Sequence, residues 1–180
     1  PDNKRWKLTI GGNRYDEFQN SLRLNYAPQY IRNTLQLNNG DGSFSEIAQV
    51  SGINATEWSW APLFADFDND GWKDLFIANG YRTDITNLDF MVYGKRALFM
   101  GTPEANRKER LKILDKYPGV YVGNYMYKNN KDLTFTDVSK NWGLGKPSYS
   151  NGSAYGDLDN DGDLDLVINN IDEPAAVYEN

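Results

Sequence analysis

Short apolar or alternating runs recur along the chain, separated by clusters of Asn, Asp and Gly. Runs of this length, bounded by turn residues, read as β-strands. Thr34 to Leu37 is one, and Asn38-Asn39-Gly40-Asp41-Gly42 is the turn after it. Asn and Gly tolerate the positive φ angles that a tight hairpin needs. Ser43 to Ile47 returns as a second strand, and the loop after it ends at Gly52-Ile53. Pro62 to Ala65 enters an acidic loop, and Asp74 to Ala78 leaves it. The same order reappears as Tyr125 to Lys128, a turn at Asn129-Asn130-Lys131-Asp132-Leu133, Thr134 to Val138, Gly143-Leu144, Ser153 to Gly156 and Asp165 to Asn169.

The two copies are in register at an offset of 91 residues, Asp66 to Asp157. Val177-Tyr178-Glu179-Asn180 begins a third copy, 51 residues after Met126-Tyr127-Lys128-Asn129. The basic unit is therefore about 50 residues with four strands, the makeup of a propeller blade. The first copy carries an insertion within Tyr81 to Val120. There Thr102-Pro103-Glu104 is a helix start, with Thr as cap and Pro at the first position. Leu111 and Leu114, and Ile113 and Tyr117, follow at helical spacing until Pro118-Gly119. A shorter helix is expected around Leu88 to Leu98. This insertion reads first as a helical cap on one edge of the blades and second as a partner-binding protrusion. Trp6 to Gly12 reads as a strand and turn. The resulting division is 1–32 as the end of a preceding blade or a lead-in, 33–80 as repeat 1, 81–120 as the helical insertion, 121–170 as repeat 2, and 171–180 as the start of a further repeat.

The acidic loops share the pattern Asp-x-Asp-x-Asp-Gly-x-x-Asp: Asp66, Asp68, Asp70 and Asp74 in the first, Asp157, Asp159, Asp161 and Asp165 in the second. Crowded carboxylates repel one another unless a cation sits between them. Alternation puts positions 1, 3 and 5 on one side of the loop, and Gly71 or Gly162 permits the sharp turn. The carbonyls of Trp72 and Asp163, with the last carboxylate, can close an oxygen cage. Hard oxygen ligands in a flexible loop suit Ca²⁺. The start resembles an EF-hand, but its position-12 Glu is replaced by Ile77 and Ile168, and a strand follows where a helix would stand. Two Ca²⁺ sites are expected, and metal-free acidic turns are the lesser alternative.

Composition narrows the field. The chain has 180 residues, 39% hydrophobic and 14% aromatic, enough for a folded core. A net charge of −6 argues against nucleic acid. Two divalent cations would offset much of that acidity. With no His and no Cys, the chain lacks His-assisted nucleophiles, His-ligated zinc and disulfides. No apolar run is long enough to span a membrane. The opening Pro1-Asp2-Asn3 reads as the start of a piece from a longer protein. Low-affinity calcium loops suit an extracellular or bacterial cell-surface setting, associated with the outer membrane.

Taken together, Asn-x-Leu-x-x-Asn-Asn-Gly-Asp-Gly-x-Phe, then Gly-Ile, then Ala-Asp-Phe-Asp-Asn-Asp-Gly-x-x-Asp-Leu resembles the FG-GAP/VCBS repeat over Asn33 to Asn180, apart from the insertion. Such repeats build the propellers of integrin α-subunits and many bacterial surface proteins. The pattern is most similar to the bacterial VCBS group often linked to an ASPIC/UnbV module, and to cartilage acidic protein. The resemblance implies an all-β fold: four-stranded antiparallel β-propeller blades with a helical insertion, in a segment of a larger propeller. It implies Ca²⁺ ligands at Asp66, Asp68, Asp70, Asp74, Asp157, Asp159, Asp161 and Asp165, with the Trp72 and Asp163 carbonyls. Lys73 departs from the loop pattern; it points outward, and its charge weakens that site slightly.

The expected function is a non-enzymatic binding or adhesion scaffold for a glycan or protein ligand at the cell surface. The remaining blades or other subunits are further partners. A polysaccharide-acting enzyme or accessory propeller and a structural subunit of a surface complex are the alternatives. Trp58, Trp60, Tyr149 and Tyr155 read as inter-blade core ahead of a sugar-stacking face, and Trp6, Trp142 and Phe135 as core. Every close carboxylate pair lies inside a loop. Glu57, Asp84, Asp89 and Glu173 can converge only through folding. Arg107, Lys108 and Arg110 read as a solvated basic face.

Overall fold

The computed structural model describes residues 15–27, 32–84, 87, 104, 107, 111–112 and 119–180. The chain forms two compact units, Pro1–Arg32 with Asp84–Tyr117, and Asn33–Thr83 with Pro118–Asn180.

In the first unit, Tyr15–Arg23 is a helix, α1. Asp16 and Glu17 in its first turn and Arg23 in its last complement the helix dipole. Its signal in the sequence is Tyr15, Phe18 and Leu22 at i, i+3 and i+7, a helical spacing in a segment assigned above to a preceding blade or lead-in. Glu104, Arg107, Leu111 and Lys112 are helical, as the expected helix requires. The rest of that span, Leu88 to Leu98, and Trp6 to Gly12 lie outside the described residues.

The second unit is β structure. Its strands are β1 Gln36–Asn38, β2 Phe44–Glu46, β3 Trp60–Ala65, β4 Asp74–Ala78, β5 Val122–Gly123, β6 Tyr125–Asn129, β7 Phe135–Asp137, β8 Pro147–Ser148, β9 Ser150–Gly156, β10 Asp165–Asn170 and β11 Ala176–Tyr178. They make a four-stranded sheet in the order β3-β4-β6-β7, a three-stranded sheet β11-β10-β9, and two pairs, β1-β2 and β5-β8. Pairing is antiparallel throughout, with Phe76 opposite Leu63 and Met126, and Val167 opposite Ala154 and Val177.

The sheets correct one expectation. A sequence repeat does not equal a sheet. The four-stranded sheet joins the last two strands of repeat 1, β3 and β4, to the first two of repeat 2, β6 and β7. The insertion therefore interrupts a sheet between its second and third strands instead of separating two blades. Its two ends are held together: Tyr81 N–H donates to Val120 O at 3.2 Å, and Val120 N–H to Tyr81 O at 2.8 Å. Gly80 beside this bridge has φ +102°, and a Cβ there would lie 2.4 Å from Ser148 O. Only glycine lets the two backbones approach so closely.

Strand β4 is buried along its whole length. Period-2 alternation sends its side chains to two cores. Leu75 and Ile77 pack with Ala48, Ile53 and Tyr127, flanked by Leu35, Tyr125 and Phe135. Phe76 and Ala78 pack with Phe67, Met126, Leu144, Leu166 and Ile168, flanked by Trp142 and Tyr178. The middle sheet is thus covered on both faces by parts of its neighbours, as in stacked blades. Phe135 and Trp142, expected as core, are partly buried and pack against its edge.

Candidate metal centre

Each acidic loop joins two antiparallel strands at the same end of its sheet: residues 66–73 between β3 and β4, residues 157–164 between β9 and β10. In the first, Asn69 takes φ 56° and Gly71 φ 86°. In the second, Asn160 takes 65° and Gly162 98°. These left-handed residues curl the chain around its own carboxylates. Asp66 Oδ1 accepts Asp70 N–H at 3.0 Å, and its Oδ2 accepts Gly71 N–H at 2.8 Å. The second loop repeats the second bond, Gly162 N–H to Asp157 Oδ2 at 3.2 Å.

The curl gathers oxygen. Asp66, Asp68 and Asp74 each offer a carboxylate oxygen within 4.8 Å of the others, and so do Asp157, Asp159 and Asp161. Each cluster can hold a metal ion. The chemistry of the donors fits one, and so do two orphaned atoms. Asp68 Oδ1 and Asp163 Oδ1 are buried without a hydrogen-bond partner. A buried carboxylate oxygen left unpaired is costly unless a cation takes it.

The ninth position has a double role. Asp74 is fully buried, and it accepts Phe67 N–H at 3.2 Å and Asn129 N–H at 2.9 Å. Asp165 accepts Leu158 N–H at 2.9 Å and Asn180 N–H at 3.2 Å. Each therefore ties the start of its loop to the far end of the strand paired beside its own, β6 for Asp74 and the residues just after β11 for Asp165. Burial pushes the Asp74 carboxyl above the usual range, against the pull of those amides. Asp70 lies outside the first oxygen cluster. Its Oδ1 accepts Trp72 N–H at 3.0 Å, while its Oδ2 faces Lys131 at 3.2 Å and Lys128 at 3.5 Å. Lys128 also forms an ion pair with Asp68. Asp163 is pushed up to about 6, first by burial, then by hydrogen bonding and repulsion from Asp161. The Trp72 side chain is half exposed.

Sequence reading alone did not reach the lysines, because they sit far away in the chain, on β6 and in the turn after it. It also did not reach a second repeated device at the opposite end of the strands. Ser59 Oγ donates to Asn33 Oδ1 at 2.7 Å, and 91 residues on, Asn124 Nδ2 donates to Ser150 Oγ at 3.1 Å. Asn79 N–H donates to Asn124 Oδ1 at 2.8 Å, and Ser150 Oγ to Asn170 Oδ1 at 2.7 Å. The signal was present as Asn33/Asn124, Ser59/Ser150 and Asn79/Asn170, all at that offset.

The aromatics differ from the core reading. Trp58 and Trp60 are each 37% exposed, with rings 6.0 Å apart, and Trp58 packs at a tilt of 56° against Tyr81, 5.0 Å away. Trp60 Nε1 donates to Gly80 O at 3.0 Å. Tyr155 is 45% exposed against Phe67, while Tyr149 packs on Tyr121 at 4.9 Å. Glu173 accepts the Tyr121 hydroxyl at 2.7 Å, and Asp89 lies outside the described residues.

Antiparallel sheets stacked face to face, with one acidic loop per repeat, define a blade-forming repeat protein. The family model for the FG-GAP-like repeat matches residues 25–77 and 115–168, and the chain belongs to that family. The match is to the repeat and says nothing of an ASPIC/UnbV module. A search of curated proteins finds no match.

Proposed function

We propose that this chain is a calcium-stabilised, non-enzymatic binding and adhesion scaffold, part of a larger β-propeller on an exported or cell-surface protein. The observation that carries this reading is the acidic loop that recurs in register, each time pinning two strands and gathering three carboxylates, with Asp68 Oδ1 buried and unpartnered in the first. All-oxygen, carboxylate-rich loops suit Ca²⁺ over softer metals. Asp66, Asp68, Asp70 and Asp74 would hold one ion and Asp157, Asp159, Asp161 and Asp165 the other, helped by the Trp72 and Asp163 carbonyls. The ion would supply folding energy, since it binds the folded loop and not the open chain.

The test is thermal unfolding with calcium and with EGTA. Calcium at about a thousand times its Kd adds about 4 kcal/mol per site. An unchanged melting temperature would remove calcium from the reading. For the ligand, the half-exposed pair Trp58 and Trp60 favours a glycan over a protein partner, because indole faces stack on sugar rings. A glycan array probed with the chain should give calcium-dependent binding that Trp58→Ala abolishes. Turnover of any bound polysaccharide would replace the scaffold with an enzyme.

A further inference from the structure

The two loops share a spacing but differ in the charges around them. The first has Trp72 at its seventh position and two lysines against its carboxylates. Lys128 pairs with Asp68 and lies 3.5 Å from Asp70 Oδ2; Lys131 lies 3.2 Å from that same oxygen. The second loop has a further carboxylate, Asp163, at its seventh position. Glu179 on the adjoining strand end occupies the repeat position of Lys128, 51 residues earlier. Among the described residues no ammonium or guanidinium pairs with Asp157, Asp159, Asp161, Asp163 or Asp165.

We infer that Lys128 and Lys131 are tethered counter-ions that compete with calcium at the first loop, so that the second loop is the tighter and the calcium-dependent one. The inference rests on the proposal that the loops take calcium. A cation held by Asp68 and Asp70 must break these ion pairs or share the carboxylates with two like charges. The lysines are partly exposed, so solvent screens them, and each lowers affinity by about tenfold, not by many decades. The same ion pairs let the first loop keep its shape without metal. The second loop has backbone amides on its carboxylates but, among the described residues, no side-chain cation to relieve their repulsion.

Calcium titration calorimetry of the full chain, paired with terbium luminescence sensitised by tryptophan, tests this. Trp72 stands inside the first loop and reports it, and Trp72→Phe identifies that signal. Two classes of site are expected, at least about tenfold apart. Asp161→Ala should delete the tight class and Asp66→Ala, a member of the first oxygen cluster, the weak one. Lys128→Met, with Lys128→Gln as a second variant, should tighten the weak class about tenfold, while Lys128→Arg leaves it weak. Equal affinities in the unaltered chain, or a first loop weakened or unmoved by both neutral variants, would overturn the inference and leave calcium binding intact. No heat at millimolar calcium would overturn the calcium reading and this inference with it.

Discussion

Asp74 shows how one residue serves two levels of structure. Its side chain is fully buried, and its two oxygens take amides from the loop entrance and from β6. Asp74→Ala would strand both donors, each costing about 1–3 kcal/mol. The variant should lose about 2–4 kcal/mol in urea unfolding, even without calcium. A loss seen only in calcium would make it a metal ligand alone. Asp163 predicts a pH effect. Its carboxyl stands at about 6 against an ordinary 3.8, so the folded state holds a proton that the unfolded chain releases between those values. Asp159 and Asp74 are shifted the same way. The carboxyls shifted down, Asp41, Asp70, Asp132 and Asp161, act below 3.8, outside this window. Metal-free protein should therefore gain stability as pH falls from 7 towards 5. Melting curves of stripped protein should show the gain, and Asp163→Asn should reduce it.

Among the elements, β4 carries the most. Leu75 and Ile77 serve one core while Phe76 and Ala78 serve the other, so a single strand joins both faces. Phe76→Ala removes a fully buried ring, and about 3–5 kcal/mol should be lost in urea unfolding. The second hairpin shows the reverse, a place where the chain is strained. Gly40 and Gly42 hold φ 82° and 88° in the first; Lys131 and Leu133 hold 69° and 71° in the second. A non-glycine residue there costs about 1–2 kcal/mol. Leu133 is 51% exposed and loses little burial, so Leu133→Gly should stabilise the chain by about 0.5 kcal/mol or more. A lower melting temperature would show that Leu133 packs against something that outweighs the strain.

On the scale of the whole molecule, the insertion and the repeats are separate units. The bridge between Tyr81 and Val120 brings the insertion's ends together, and chain leaving from joined ends is readily tolerated. Replacing Asp84–Tyr117 with a short Gly/Ser linker should keep cooperative unfolding and the far-ultraviolet signature of strands. Loss of cooperativity would mean that the repeat unit depends on the insertion. The strands, hairpins and loops were legible because each is built from neighbours in sequence: Asn-Asn-Gly-Asp-Gly turns, apolar pairs, Asp-x-Asp-x-Asp-Gly. The phase of the sheets was not. β4 pairs with β6 across the insertion, and nothing local distinguishes that pairing from a sheet made of one repeat.

The sequence by itself determined the repeat, its register and the two carboxylate loops, since alternation, turn residues and ligand spacing are short-range properties. Only the tertiary structure decided which strands share a sheet, which side chains are buried, and that lysines from a distant hairpin face one loop and not the other. Those depend on which distant segments meet, and folding settles that by burying β4 between two neighbours.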